Sequence, residues 1–571
     1  LRDEYLATRG TPLGIALSSE TMQAAWIPLP VEPSPALQAF CGDATIPKLT
    51  HGEKALSIQL RRAGYTLRGV AGDTQLASFL IEPTKLIPHE LDAVSREHLQ
   101  KTPPNAKLAL GAPTGRGSGR SEGDLRPVGW AGLPEAEQAR YAVGRARIIA
   151  ELWPVLKKRL EEQGQMAQLI ERDLPLVPVL AKMEEAGILV DADRLGALEA
   201  DFSRELASLE QQIHTIAGRP FNIASTKQLG EILFDEMKLP VIKRNKTGYS
   251  TDVEVLEKLA PKHPIAKMLL DHRKLQKLIT TYTRVLVEAV DPADRRIHAT
   301  FQQTIGATGR LITTDPDLQR TPVRTPEGKR IRQCFIAPQG MRLISADWSQ
   351  IELRVLAHVS GDPRLVAAFA RQADVHKETA AQIFGITTDQ VTSEQRNVGK
   401  TINFATIYGQ GANALGQILG IAKKDAQAYI EGYFAAYAGV RTWLDSTIAE
   451  ANKTGFVTTL LGRKRYIAEL SSRNFMDQQA GERIAANTPI QGSAADLCKL
   501  AMLHIDEALR SEGLKTRMLL MVHDELVFEA PEAEVDRVVD LVRAKMRDVY
   551  PLSVPLVVDV GVGKSWADAK N

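Results

Sequence analysis

Over the first hundred residues, short apolar runs alternate with helical stripes. Ala25-Trp26-Ile27-Pro28 and Thr66-Leu67-Arg68-Gly69-Val70 read as strands, and Asp73 to Leu80 reads as a helix, which predicts a small α/β domain. Residues 102–127 are rich in Gly, Pro, Ser and charge and read as a loop. The pattern is helical from Pro134 to about Gln168, and long amphipathic helices fill most of 174–290. Ser225, with Gln228 three residues on, has capping-box spacing at the start of one of them. Residues 243–250 form a basic polar loop, and 271–277 a basic helix face. From about 297 strands and helices mix. Arg342–Asp347 reads as a strand, and Met518–Val522 and Leu526–Glu529 flank His523-Asp524-Glu525 as a hairpin. Both hairpin arms are apolar, so that sheet must be covered. Between these strands, 363–488 is largely helical, with no fixed-period repeat.

At 571 residues the chain exceeds one core. Its net charge of +2 announces no global field for nucleic acid, so any such contact must come from local basic faces. The three cysteines, Cys41, Cys334 and Cys498, lack the spacing of a disulfide framework or a zinc site, which fits a reducing compartment. No apolar run reaches the roughly 18 residues of a membrane span. The chain opens at Leu1 with no signal-type stretch and reads as a fragment of something longer.

Candidate chemistry lies in the two apolar strands that end in acid. Asp347 closes one and Asp524 sits at the tip of the hairpin. If the strands are neighbours, the two carboxylates can hold two divalent ions for phosphoryl transfer. Each aspartate taken alone is more often an ordinary turn acid, but an acid ending a buried strand is costly without a counter-cation. Glu352 follows Ser349 at capping-box spacing, so a helix is expected from there to Val359; Glu352 can be a cap, a group facing a sugar, or both. A second capping box, Thr392 to Gln395, precedes Arg396, Lys400, Phe404 and Tyr408, and Gly409 offers a stop. Four-residue steps keep these four side chains on one slowly turning helix face. Its cations lie toward the N-terminus, where the helix dipole also favours phosphate, and its aromatics lie where a base and sugar would extend.

These segments resemble the motifs of family A DNA polymerases: Asp347-Trp348-Ser349-Gln350-Ile351-Glu352 the first, Arg396-x3-Lys400-x3-Phe404-x3-Tyr408-Gly409 the second, and Val522-His523-Asp524-Glu525 the third. Thr308-Gly309-Arg310, Asp374-Val375-His376, Leu460 to Arg465 and Arg483 to Asp496 extend the likeness over essentially the whole chain. The resemblance implies a multidomain α/β and α+β chain: a right-hand polymerase behind an RNase H-like, exonuclease-type α/β domain. The exonuclease-like domain would span 1–168, the thumb 169–295, the palm 296–362 and 489–571, and the fingers 363–488.

It further implies template-directed, primer-dependent DNA synthesis from dNTPs. Asp347 and Asp524 would bind two Mg²⁺ ions, with Mn²⁺ able to substitute, and Glu525 would be an auxiliary acid. Lys400 would touch the phosphates and act as general acid toward pyrophosphate. Arg396 and His376 would hold the triphosphate, with Gln350 also at the nucleotide. Phe404 would pack on sugar and base, Tyr408 would sit beside the templating position, and Glu352 would exclude a 2′-hydroxyl. Arg310, Arg483, Asn487, Gln491 and His523 would contact primer or template. Asn222, Ser225, Thr226 and Lys227 would meet phosphates from the thumb. The partners implied are primer-template DNA and dNTPs for a monomer, with no membrane. The location implied is the cytoplasm, on the nucleoid of a bacterium.

Some positions depart from the family pattern. Trp348 stands where tyrosine is usual, Leu311-Ile312-Thr313 replaces Leu-Ser-Ser, and Leu318-Gln319-Arg320-Thr321-Pro322 replaces Leu-Gln-Asn-Ile-Pro. These put fidelity and DNA affinity in question, not the reaction. The N-terminal domain lacks the Asp-x-Glu of a proofreading exonuclease, since Asp3-Glu4 does not match it. Its second acidic segment is shortened around Ser57–Tyr65, and Tyr141-x3-Arg145 puts a cation where the last motif has aspartate. A cation cannot replace a metal ligand, so this domain is expected to be a remnant without proofreading. Two other readings stay open: a single-subunit RNA polymerase, against which Glu352 and Phe404 argue, and a catalytically dead DNA-binding scaffold, against which Asp347, Lys400 and Asp524 argue.

Overall fold

The computed structural model describes residues 7–570 apart from 9, 11, 20, 22, 31, 105–132, 247 and 324. Most of the expected 102–127 loop, and Asp3-Glu4, therefore fall outside the described residues. The chain divides into two compact units. One comprises 1–186, 300–314 and 344–560; the other comprises 187–299, 315–343 and 561–571.

The first unit begins with an antiparallel pair, Gly14–Ser18 with Ala24–Pro28, and a parallel pair, Lys48–Thr50 with Val70–Asp73. The strand expected at 66–70 starts only at Val70. Gly69 takes φ +72°, and the backbone of Arg68 is occupied, its N–H by Cys41 and its carbonyl by the Lys48 ammonium, so the chain turns before it pairs. The helix expected from Asp73 is Thr74–Ile81, with Asp73 as its cap, accepting from the Gln75 and Leu76 N–H groups. It packs Leu76 and Leu80 against Leu152, Leu156 and Leu160 of the helix Glu135–Glu162.

The main sheet has four strands: β1 Met341–Trp348, β2 Arg517–Val522, β3 Glu525–Pro531 and β4 Val558–Gly563, in the order β2-β3-β1-β4. β2 and β3 form the expected antiparallel hairpin, buried along nearly all of both arms. Four helices set the site: α1 Ile351–Ser360, α2 Val375–Phe384, α3 Ser393–Ile407 and α4 Phe475–Ser511. The 363–488 interval is helical as expected except for a short hairpin, Phe456–Thr458 with Lys464–Tyr466.

A buried knot of charge ties distant parts of this unit together. Arg463 donates from Nη2 to both oxygens of Asp173 at 3.1 Å and from Nε to Asp496 at 2.8 Å. Lys499 adds a second cation to Asp173 at 3.1 Å, and Thr459 donates to Asp496 at 2.7 Å. Burial alone would raise the Asp173 carboxyl, but the Arg463 and Lys499 charges hold it well below its ordinary value.

The second unit is mainly helical, with the long amphipathic helices Ala192–Ala217 and Pro264–Leu278 over a core that includes Ile213, Leu233, Leu256 and Leu269. The helix expected after Phe221 starts at Thr226–Gly230 and continues as a π-helical stretch, Glu231–Glu236. Its cap is half of the expected box. Ser225 accepts from the Gln228 N–H at 3.4 Å, but the Gln228 side chain reaches back to the Asn222 N–H at 2.9 Å, not to Ser225. On the expected basic face, Arg273 is held by the Thr251 backbone and Lys274 pairs with Glu327 at 2.9 Å.

Candidate active site

β1 and β3 lie side by side, so the strand-end acids come together. The Trp348 N–H donates to the Asp524 carbonyl at 3.4 Å, which joins the end of β1 to the hairpin tip. Both carboxylates are half-buried. Both also act on Cys498 beneath them: burial and the Asp524 charge, with that of Asp347, push its thiol up. His523, at φ +57°, makes the tight turn that leaves its own side chain exposed beside Asp524. Glu525 points back into the sheet, buried, and accepts from Ser345 Oγ at 2.7 Å. Among the described residues no three His, Cys, Asp or Glu side chains gather as a closed metal centre. Two half-exposed oxygen donors, one ending β1 and one at the neighbouring hairpin tip, are instead the donor set that suits a hard cation keeping water and phosphate in its shell.

The sequence places Ser349 as the cap of α1, and the structure does not. α1 starts at Ile351, and Gln350 holds the cap position at φ +59° without a side-chain bond. Ser349 is drawn into the sheet edge instead, its N–H donating to Val557 at 2.9 Å. Glu352 is thereby released from capping. It is 5% exposed, and its two oxygens take the Arg310 guanidinium and, at 3.2 Å, the Tyr408 hydroxyl. Burial and the Glu352 charge push the Tyr408 phenol up.

α3 carries the stripe as the spacing predicts. The Thr392–Gln395 capping box is complete, with bonds of 2.9 and 3.2 Å, and Gly409 at φ +60° follows the last turn. Phe404 and Tyr408 stack 6.4 Å apart with their planes 19° from parallel. Arg396 donates to Asp374 at 2.6 Å, and Asp374 in turn caps α2. His376, next but one, lies 6.0 Å from the Phe404 ring. Its burial and the Arg396 charge, with that of Lys400, push the imidazole down to about 4 against the pull of Asp374. The cationic end of α3 and the His376 side of α2 thus line one face.

α4 closes the other side. Arg483, Asn487 and Gln491 recur at four-residue spacing. Asn487 donates to the Ile407 carbonyl at 3.5 Å, and a Cβ at Gly409 would stand 3.1 Å from Arg483, so the end of α3 rests on this face. A Cβ at Gly492 would stand 3.0 Å from the Thr308 carbonyl, so α4 also lies against the segment that presents Arg310. In the second unit Asn222, Thr226 and Lys227 are exposed at the start of the helix at Thr226, and Ser225 is partly so. Trp348, the unusual residue of the first segment, is a core residue, its indole N–H donating to the Met546 carbonyl at 3.0 Å. Sequence reasoning assigned no role to Asp374, although an aspartate directly before a helix is a capping signal. Ser345, Thr379 and Asn403 gave none.

Two carboxylates, one ending β1 and one at the hairpin tip, with a helix of cations and aromatics beside them, are an arrangement that suits phosphate chemistry with divalent ions. A sequence profile of DNA polymerase family A matches residues 192–568, and the chain belongs to that family. It is 41% identical over 559 residues to DNA polymerase I of Geobacillus stearothermophilus, covering 98% of this chain and 62% of that protein. It is 41% identical over 506 residues to DNA polymerase I of Pseudomonas aeruginosa, covering 88% and 54%. The chain thus spans about three fifths of the length of these relatives. Its fold is similar, with TM-score 0.88 and 37% identity, to the POL domain of Pol1 from M. smegmatis in complex with DNA primer-template and dNTP, over 98% of this chain and 94% of that one.

Proposed function

We propose that this chain performs template-directed, primer-dependent DNA synthesis by nucleotidyl transfer from dNTPs, with release of pyrophosphate. The observation that carries the reading is the adjacency of Asp347 and Asp524 across β1 and β3, next to the helix that bears Arg396, Lys400, Phe404 and Tyr408. The neighbouring solved structure, bound to primer-template and dNTP, supports the substrate class.

Asp347 and Asp524 would hold two Mg²⁺ ions, or Mn²⁺ in their place, which neutralise phosphate charge and lower the pKa of a primer hydroxyl. Arg396 and His376 would orient the triphosphate, and Lys400 would give a proton toward the leaving pyrophosphate. Phe404 would pack on sugar and base, with Gln350 alongside. Glu352, immobilised by Arg310 and Tyr408, would occupy the space a 2′-hydroxyl needs. Glu525, held by Ser345, would support the carboxylate pair from behind. Arg310, Arg483, Asn487, Gln491 and His523 would meet primer and template near the newest pair, where minor-groove acceptors report pair shape without reading sequence. Asn222, Ser225, Thr226 and Lys227 would meet backbone phosphates. The five-segment division into exonuclease-like domain, thumb, two palm pieces and fingers belongs to this reading. So do a monomeric state and a place on the nucleoid in a bacterial cytoplasm.

The N-terminal domain would not proofread. Arg145 donates to Asp92 and to the Pro104 carbonyl and lies 5.3 Å over the Tyr141 ring, so the position where a metal-binding acid is needed holds a fixed cation. One primer-extension assay with Mg²⁺ and dNTPs on matched and mismatched 3′ ends, beside Asp524→Asn, tests both claims. Extension of the matched primer that the variant loses, with no trimming of the mismatch, is expected. No extension by the parent chain refutes the polymerase reading, and trimming refutes the remnant.

A further inference from the structure

Behind His376 runs a buried chain of hydrogen bonds whose direction can be worked out. His376 Nδ1 lies 3.1 Å from Asn403 Nδ2. Asn403 Oδ1 accepts from Thr379 Oγ1 at 3.1 Å, and Thr379 Oγ1 lies 3.3 Å from the Tyr437 hydroxyl. Thr379 and Asn403 are 0% exposed, Tyr437 2% and His376 3%. With the Asn403 amide turned over, its nitrogen would donate to Thr379 Oγ1, and then either the Thr379 or the Tyr437 proton would have no acceptor among the described residues. An orphaned buried donor costs about 1–3 kcal/mol, so the chain runs from Tyr437 to Thr379 to Asn403 to His376.

An amide nitrogen can only donate, so His376 Nδ1 must accept, and the proton of the neutral ring sits on Nε2. We propose that Asn403, backed by Thr379 and Tyr437, is a positioning residue that fixes His376 as the Nε2–H tautomer, so that a neutral histidine offers one proton donor to the phosphates of the incoming nucleotide. The inference rests on the polymerase reading for its ligand, not for its tautomer. The opposite tautomer would aim a lone pair at those phosphates. The low basicity of the ring agrees with the arrangement: Arg396 and Lys400 already supply the positive charge, and His376 contributes direction.

The test has two readouts on the full chain. The first is a long-range ¹H–¹⁵N spectrum of protein labelled in its histidine rings, without substrate, with His376 assigned by its loss in His376→Gln. The parent is expected to show Nε2–H. In Asn403→Asp the carboxylate can only accept, so, at a pH high enough to keep the ring neutral, the ring is expected to change to Nδ1–H. Thr379→Ser, which keeps the hydroxyl, is expected to retain the parent tautomer. The second readout is steady-state extension. Asn403→Asp is expected to raise the dNTP KM about tenfold or more, the scale of one hydrogen bond to a charged group, with a smaller change in kcat, and Thr379→Ser to leave both near the parent values. Nδ1–H in the parent, or an unchanged ring in Asn403→Asp, overturns the proposal. A changed ring with an unchanged dNTP KM overturns the role toward nucleotide. A parent with the expected tautomer and no extension at all refutes the polymerase reading and removes the ligand from the proposal, while the tautomer assignment stands.

Discussion

The Tyr408 hydroxyl donates to Glu352 Oε2 at 3.2 Å, linking the last turn of α3 to the first turn of α1. Arg310 holds the other oxygen, so the carboxylate cannot swing away, and in the proposed reading it stays where the sugar of a nucleotide would lie. Glu352→Ala is therefore expected to raise ribonucleotide incorporation relative to deoxyribonucleotide by at least about tenfold, because a filled and desolvated position becomes open. Tyr408→Phe removes one of two anchors and is expected to relax the ratio less. Competition assays with paired dNTP and rNTP would show the order. Equal discrimination by parent and Glu352→Ala would remove Glu352 from sugar selection.

Asp347→Asn and Asp524→Asn test the carboxylate pair. Each change keeps size and removes charge, at a half-buried strand end where the amide can still bond to water. The thermal midpoint should hardly move. Extension should fall by about a thousandfold or more, the scale of several kcal/mol of lost charge stabilisation. A variant that kept near-parent activity would exclude its aspartate as a metal ligand.

Much of this site could be read in the chain because its signals are local. The β1 strand, the apolar hairpin, the α3 stripe and the Thr392 capping box each occupy a few consecutive residues whose spacing dictates their geometry. Asp347 and Asp524 could be suspected from their places at strand ends, but their adjacency depends on β1 pairing with β3, a contact between segments about 180 residues apart. The N-terminus of α1 was misread because Ser349 bonds to Val557, a partner that no local pattern announces. Asn403 sits inside the very helix that the stripe picked out. Its meaning comes from Thr379, on α2, and Tyr437, the link between two later helices.

The Arg463 knot makes a prediction about stability. Its four charges are nearly dry, with Asp496 side-chain exposure 0% and Arg463 5%. Arg463→Met strips Asp173 of its two-bonded partner and leaves Asp496 with Thr459, so about 3–5 kcal/mol of destabilisation is expected. Lys499→Met leaves the Arg463–Asp173 pair intact and should cost less. Denaturant or thermal unfolding of the two variants checks the order. Arg463 also packs against the segment that presents Arg310, since a Cβ at Gly309 would stand 2.7 Å from its Nε. Arg463→Met should then lose extension activity below its own unfolding midpoint, which Lys499→Met should not.

Acid should weaken the fold through its buried histidines. His51, His89 and His376 are each pushed from 6.5 down to about 4, mainly by burial. Unfolded, they bind protons near 6.5, so below that pH the unfolded chain gains protons that the folded one does not. Their contribution to stability is intact above about 6.5 and is lost as pH falls toward 4. Glu53, pushed up to about 8 by burial and the Asp73 charge, works the other way and gains stability as pH falls from 8 to 4.5. His98 and His504 are also held down and Glu184 is also pushed up, so the lowered histidines outnumber the raised carboxyls and the thermal midpoint should drop between pH 6.5 and 4.5. His89 offers the cleanest check. It sits at φ +66°, a conformation that asparagine tolerates, and its Nδ1 lies 2.9 Å from Ser78 Oγ. His89→Asn should keep the backbone and make the acid slope shallower. An unchanged slope would mean that His89 titrates alike in the folded and unfolded chain.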